Sequence, residues 1–160
     1  MSTYKVVSQR IVAGTPAQCW QAVLDEVEGR SRWWQPFVMQ HIHVGSRADQ
    51  LGSEIEGSAS VEGHPDRLWG TVTWVSRLTE MVPERRLTWE YVEGSFSGSI
   101  TWTFAPVGDD HTHITVQWYA DPIGANRMLA NFYDEPSDQA RIMERGFDGL
   151  SKYIDSHVRI

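Results

Sequence analysis

The feature that most constrains this chain is a change of period. From about residue 53 to residue 122 apolar side chains recur at every second position, and from 137 to 158 they recur every third or fourth. In "SEIEGSASVEG", Ile55, Gly57, Ala59 and Val61 share one side, with Glu54, Glu56, Ser58 and Ser60 on the other. "RRLTWEYVEG" places Leu87, Trp89 and Tyr91 together, "GSITWTFAP" places Ile100, Trp102 and Phe104 together, and "HTHITVQWYADP" places Ile114, Val116 and Trp118 together. "RLWGTVTWVSRLTEMV" is a longer strand pattern that ends near Pro83. Alternation of this kind marks strands with one covered face. The segments "EGHPD", "VPER", "EGSFSG" and "PVGDD" between them are turn-like, so the strands follow one another as hairpins and the sheet is antiparallel. "SDQARIMERGFDGLSKYIDSHV" then carries Ile142, Met143, Phe147, Leu150, Ile154 and Val158 at helical spacing, with Ser137 as its cap. One apolar sheet face and one apolar helix stripe are buried most simply by laying the helix across the sheet.

The start of the chain completes the order. "YKVVSQRIV", residues 4–12, reads as a strand, and "FVMQHIHV", residues 37–44, as another. Between them "GTPAQCWQAVLD" reads as a helix capped by Thr15, opened by Pro16 and ended at Gly29. Cys19, Trp20, Val23 and Leu24 fall on one face of it. A second short helical turn fits residues 30–35 before Pro36, and "NRMLANFYD" reads as helical before Pro136. The expected fold is α+β: a curved antiparallel sheet of six or seven strands around a long C-terminal helix, with two short helices after the first strand, in a single domain spanning 1–160.

Composition narrows the function. A net charge of −7 repels phosphate backbones, so nucleic acid is not an expected partner. A single cysteine, Cys19, permits no internal disulfide, and no segment is apolar enough for a membrane span or a secretory leader. These features fit a cytoplasmic protein, and they leave open assembly as a homodimer. Eight tryptophans are the unusual figure, because indoles favour cores, interfaces and ligand pockets. Trp33 and Trp34 are adjacent, and neighbouring residues cannot share one face of a helix or strand. One is expected in the core and the other at a cavity mouth or loop.

Motifs for catalysis or cofactors are missing. His41 and His43 share a strand face, as do His111 and His113, but both pairs read as solvent-facing, so no metal site is assigned. There is no Gly-x-Ser-x-Gly elbow, phosphate loop or dinucleotide fingerprint, and no cofactor is expected. Cys19 reads as a small buried hydrophobe. For acid–base chemistry the candidates are Tyr91, pointing inward as a donor to a ligand carbonyl, and Glu54, Glu56 and Arg77, which more naturally face outward.

The order and signposts resemble the START-like (SRPBCC) superfamily with its helix-grip fold, in particular the polyketide cyclase/dehydrase branch. The resemblance is carried by "IVAGTPAQCWQAVLD", "RWWQP", "VPERRLTWEY", "ITWTFAPVGDDHTHITVQW" and "GFDGLSKYI", and runs over almost the whole chain. It implies a hydrophobic-ligand cavity between sheet and long helix, with the short second helix at its mouth. A single helix is too narrow to fill a wide concave sheet, so the uncovered part leaves the same cavity on geometric grounds. The expected floor is Trp74, Trp89, Tyr91, Trp102, Phe104 and Trp118, and the expected lid is Trp33, Trp34, Met143, Phe147 and Leu150. The function expected from this is binding of a small hydrophobic, aromatic or polyketide- or lipid-like molecule by a carrier, sensor or sequestering protein. The alternative is a polyketide cyclase/dehydratase-type enzyme with acid–base groups in the same cavity. Two or more ionisable side chains converging there would favour the enzyme.

Overall fold

A computed structural model describes residues 4–60, 71–123 and 135–158. The expected turn at 62–66, Val61, Trp69 with the start of the long strand, and the helical segment 126–134 lie outside the described residues. The elements in order are β1 (Tyr4–Val12), α1 (Pro16–Val27), β2 (Val38–Val44), β3 (Glu54–Ser60), β4 (Thr71–Val82), β5 (Arg86–Gly94), β6 (Phe96–Val107), β7 (His111–Pro122) and α2 (Glu135–Val158). The seven strands form one antiparallel sheet in the order β1-β7-β6-β5-β4-β3-β2. Each hairpin therefore pairs with the next, and β1 closes the far side by pairing with β7.

Local chemistry sets the first helix. The Thr15 hydroxyl accepts from the Gln18 N–H, and the Gln18 side chain accepts from the Thr15 N–H, which satisfies two otherwise orphaned donors. Pro16 occupies the first turn, where no N–H is needed, and Gly29 leaves the helix at φ 77°. Cys19, Trp20, Val23, Leu24 and Val27 are buried beneath it. Burial pushes the Cys19 thiol up to about 11, so it is a packing group and no nucleophile at neutral pH.

The second short helix of the expectation is reduced to one turn. The Phe37 and Val38 N–H groups both donate to the Trp34 carbonyl, and β2 begins at once. The long helix starts at Glu135, two residues before the expected cap, so Ser137 lies inside it. Helix α2 packs along β1 and against α1. Its Met143, Phe147, Leu150 and Ile154 join Leu87, Trp102, Phe104, Ile114 and Val116 of the sheet in the main core. No helix among the described residues is long and apolar enough to cross a membrane.

Candidate functional site: an aromatic cavity with two buried carboxyl groups

The inner faces of β4 to β7 carry an aromatic surface. Trp89 and Tyr91 on β5 point the same way as Trp74 on β4, Trp102 on β6 and Trp118 on β7, as the alternation requires. The Trp74 and Tyr91 rings meet edge to face at 6.3 Å, and Phe96 meets Trp118 in the same manner at 5.2 Å. The Trp118 indole N–H donates to the Tyr91 hydroxyl at 2.9 Å. Burial raises the Tyr91 phenol well above its ordinary range, so it stays protonated.

Trp33 and Trp34 cover this surface together. Their rings stack at 5.5 Å between centroids and 11° between planes. The expectation that they part company assumed a helix or strand, but a tight turn lets consecutive side chains lie parallel. Each indole is tied to a different helix: Trp33 Nε1–H donates to the Ala22 carbonyl of α1 at 3.0 Å, and Trp34 Nε1–H to the Ile142 carbonyl of α2 at 2.9 Å. Both rings line the cavity, Trp34 buried and Trp33 half-buried.

Seven of the eleven expected site residues line the space: Trp33, Trp34, Trp74, Trp89, Tyr91, Trp102 and Trp118. Phe104, Met143, Phe147 and Leu150 do not. They are at most 1% exposed and sit in solid core, where Phe104 meets Trp20 of α1 and Phe147 meets Trp102. The reason is that α1 and α2 together fill this part of the sheet; the space formed by the described residues reaches α2 at its first turns, at Asp138, Gln139 and Ile142, and α1 at Val23, Glu26 and Val27. Space free of protein atoms totals about 880 Å³ including the mouth, but only about 70 Å³ of it is open to the centres of water molecules. The cavity is a narrow slot, tighter than a lone helix on a wide sheet would leave, because the stacked Trp33–Trp34 pair occupies much of the gap.

Two carboxyl groups that alternation could not reveal also line it. Glu26 on α1 is 2% exposed and Asp138 on α2 is 4% exposed. The Ser31 hydroxyl donates to Glu26 at 2.9 Å, and the Trp33 and Trp34 backbone N–H groups donate to it as well. Burial outweighs those three bonds and pushes Glu26 up to about 7. Asp138 accepts from the exposed Arg141. Gln40, Ser76 and Gln139 add neutral polar atoms, and no cationic side chain is among the described residues lining the space. The expected candidates Glu54, Glu56 and Arg77 lie on the outer face, where Arg77 pairs with Glu54 at 2.8 Å and His43 approaches Glu56 at 3.1 Å. Among the described residues, no group of three or more His, Cys, Asp or Glu side chains has metal-binding geometry.

Two predictions arise here. Folded Glu26 holds its proton more tightly than the unfolded chain does. Its contribution to stability is therefore complete below pH 4.5, declines as pH rises towards 7, and is flat above. Urea unfolding should show a loss of about 3 kcal/mol across that window, and Glu26→Gln should remove the decline. Tyr91→Phe deprives the Trp118 indole of its acceptor, so it should lower stability by about 1–2 kcal/mol in the same assay. An unchanged midpoint would mean that the hydroxyl is not that acceptor.

The sequence matches the family described as polyketide cyclase / dehydrase and lipid transport over residues 3–155. No curated protein matches it. Among solved structures, the ZhuI aromatase/cyclase from Streptomyces sp. R1128 superposes with a TM-score of 0.74 at 14% identity, covering 99% of this chain and 97% of that one. A START superfamily protein from Mycobacterium smegmatis gives 0.71 at 12% identity, over 97% and 99% of the two chains. The major latex-like protein 151 of Panax ginseng gives 0.64 at 12% identity, over 94% and 97%. These likenesses concern the fold, which the seven-stranded sheet and its gripped helix share. With all but the chain ends inside the matched region, the protein belongs to the family described as polyketide cyclase / dehydrase and lipid transport.

Proposed function

We propose that the chain binds a small, mostly apolar aromatic molecule in the slot between the sheet and the first turns of α2. The observation that carries this reading is the concentration of six tryptophans, Tyr91 and Phe96 around one space, where stacking and edge contacts favour planar guests. The half-buried rings of Trp33 and Trp74 are the ones placed to turn aside as a guest enters. Native mass spectrometry of the protein from its own host tests this. A co-purifying molecule of aromatic absorbance supports the reading. A bare chain that also fails to take up 2-ethylnaphthalene in titration contradicts it.

A second reading, acid–base catalysis of the cyclase/dehydratase type, gains from the two ionisable carboxyl groups that line the same space, Glu26 and Asp138, with Glu26 the candidate base. A carboxyl group brought to about 7 beside an apolar slot is suited to take a proton at neutral pH. Solvent deuterium exchange into the α-carbon of 2-acetylnaphthalene, followed by NMR, separates the two readings. Catalysed exchange that disappears in Glu26→Gln marks an enzyme, and no exchange above the buffer rate marks a binder.

A further inference from the structure

Most of the indole N–H groups in the cavity wall whose bonds are defined are satisfied within the fold: Trp33 by Ala22, Trp34 by Ile142 and Trp118 by Tyr91. Trp89 is the exception. Its ring is 3% exposed and lines the slot, yet Nε1–H is buried with no acceptor among the described residues. A buried donor without a partner is unfavourable, and native folds rarely keep one without reason. Folding has already stripped water from this N–H, so a guest that brings an oxygen to it desolvates only its own side of the bond.

The charges of the wall restrict that oxygen further. Among the described residues, Glu26 and Asp138 are the carboxyl groups lining the slot, and no cation lines it. A carboxylate or phosphate guest would enter a low-dielectric space already holding acidic groups and lacking a counter-charge.

We propose that Trp89 Nε1–H is the specificity-determining donor of the cavity, and that it selects aromatic guests carrying an uncharged acceptor oxygen over hydrocarbons and over anions. This rests on the binding reading above and adds to it the residue and the chemical group. Three probes of similar shape test it: 2-ethylnaphthalene, 2-acetylnaphthalene and 2-naphthoate, titrated at pH 8. The acetyl compound should bind about tenfold more tightly than the ethyl compound, corresponding to about 1.4 kcal/mol. The naphthoate should bind at least about tenfold more weakly than the acetyl compound. In Trp89→Phe the ratio of acetyl to ethyl affinity should fall to within about twofold, whatever the absolute affinities become.

An independent readout uses the unsubstituted chain. In an NMR spectrum of the indole N–H groups, the Trp89 proton should move downfield with the acetyl compound and stay in place with the ethyl compound. If ethylnaphthalene binds but the acetyl group brings no advantage, or the advantage survives in Trp89→Phe, or the Trp89 proton does not respond to it, Trp89 is not the donor. Naphthoate binding as tightly as the ketone overturns the charge selection. If no probe binds, the cavity reading falls together with this one.

Discussion

Replacing Gly149 with alanine is expected to destabilise the fold by about 2–3 kcal/mol, although the same change in an open helix stabilises by about 1 kcal/mol. A Cβ at residue 149 would stand 1.8 Å from the carbonyl oxygen of Trp33 and 2.9 Å from its carbonyl carbon. These are backbone atoms, and no rotamer change relieves the clash. Helix α2 or the Trp33–Trp34 turn must move, and that turn supplies both the cavity cover and two of the donors to Glu26. One turn earlier, a Cβ at Gly146 would stand 2.6 Å from the Trp34 ring. The two glycines thus let the tryptophan turn, rather than the sheet, approach the helix. For a domain of this size the melting temperature should fall by about 5–10 °C. A rise would show that helix propensity alone governs the position and that the close approach is absent.

Trp102→Ala should be the most damaging single truncation, at about 3–5 kcal/mol in urea unfolding. Trp102 is 3% exposed and stands where the slot meets the solid core. Its ring meets Trp34 edge to face at 6.0 Å, Phe147 edge to face at 6.4 Å, and stacks on Phe104 at 6.4 Å. Removing it links the cavity to a new void and unseats Trp34, so residual folded protein should also lose aromatic guests. A loss below about 1 kcal/mol would place the ring outside the core.

The pattern of residues made some of this legible and left the rest obscure for physical reasons. Trp89, Tyr91, Trp102 and Trp118 could be assigned to one face because side chains alternate across a strand whatever else surrounds them. The same rule cannot distinguish a cavity wall from filled core, which is why Phe104 and the helix residues Met143, Phe147 and Leu150 were expected at the site and lie beside it. Whether space remains depends on α1 and the tryptophan turn, which are remote in sequence from β6 and α2. Phe96 was hidden in "EGSFSG", which reads as a turn. The turn is confined to Ser95, between β5 and β6, and Phe96 already belongs to β6 and is 5% exposed. Glu26 occupies the edge of the apolar face of α1, where a carboxylate ordinarily reaches water. Its burial is made tolerable by Ser31 and the Trp33 and Trp34 N–H groups, which only the folded turn brings to it. The overlap of the Trp33 and Trp34 rings likewise required a turn that the reading of a short helix did not contain.

The most direct test of a guest between sheet and helix is an NMR experiment that measures contacts between bound 2-ethylnaphthalene and protein protons. Cross-peaks to the rings of Trp74, Trp89 and Trp102 are the expected result. Cross-peaks confined to outward-facing residues such as Val7 and Ile11 of β1, which are 54% and 57% exposed, would place the guest on the outside and contradict the account.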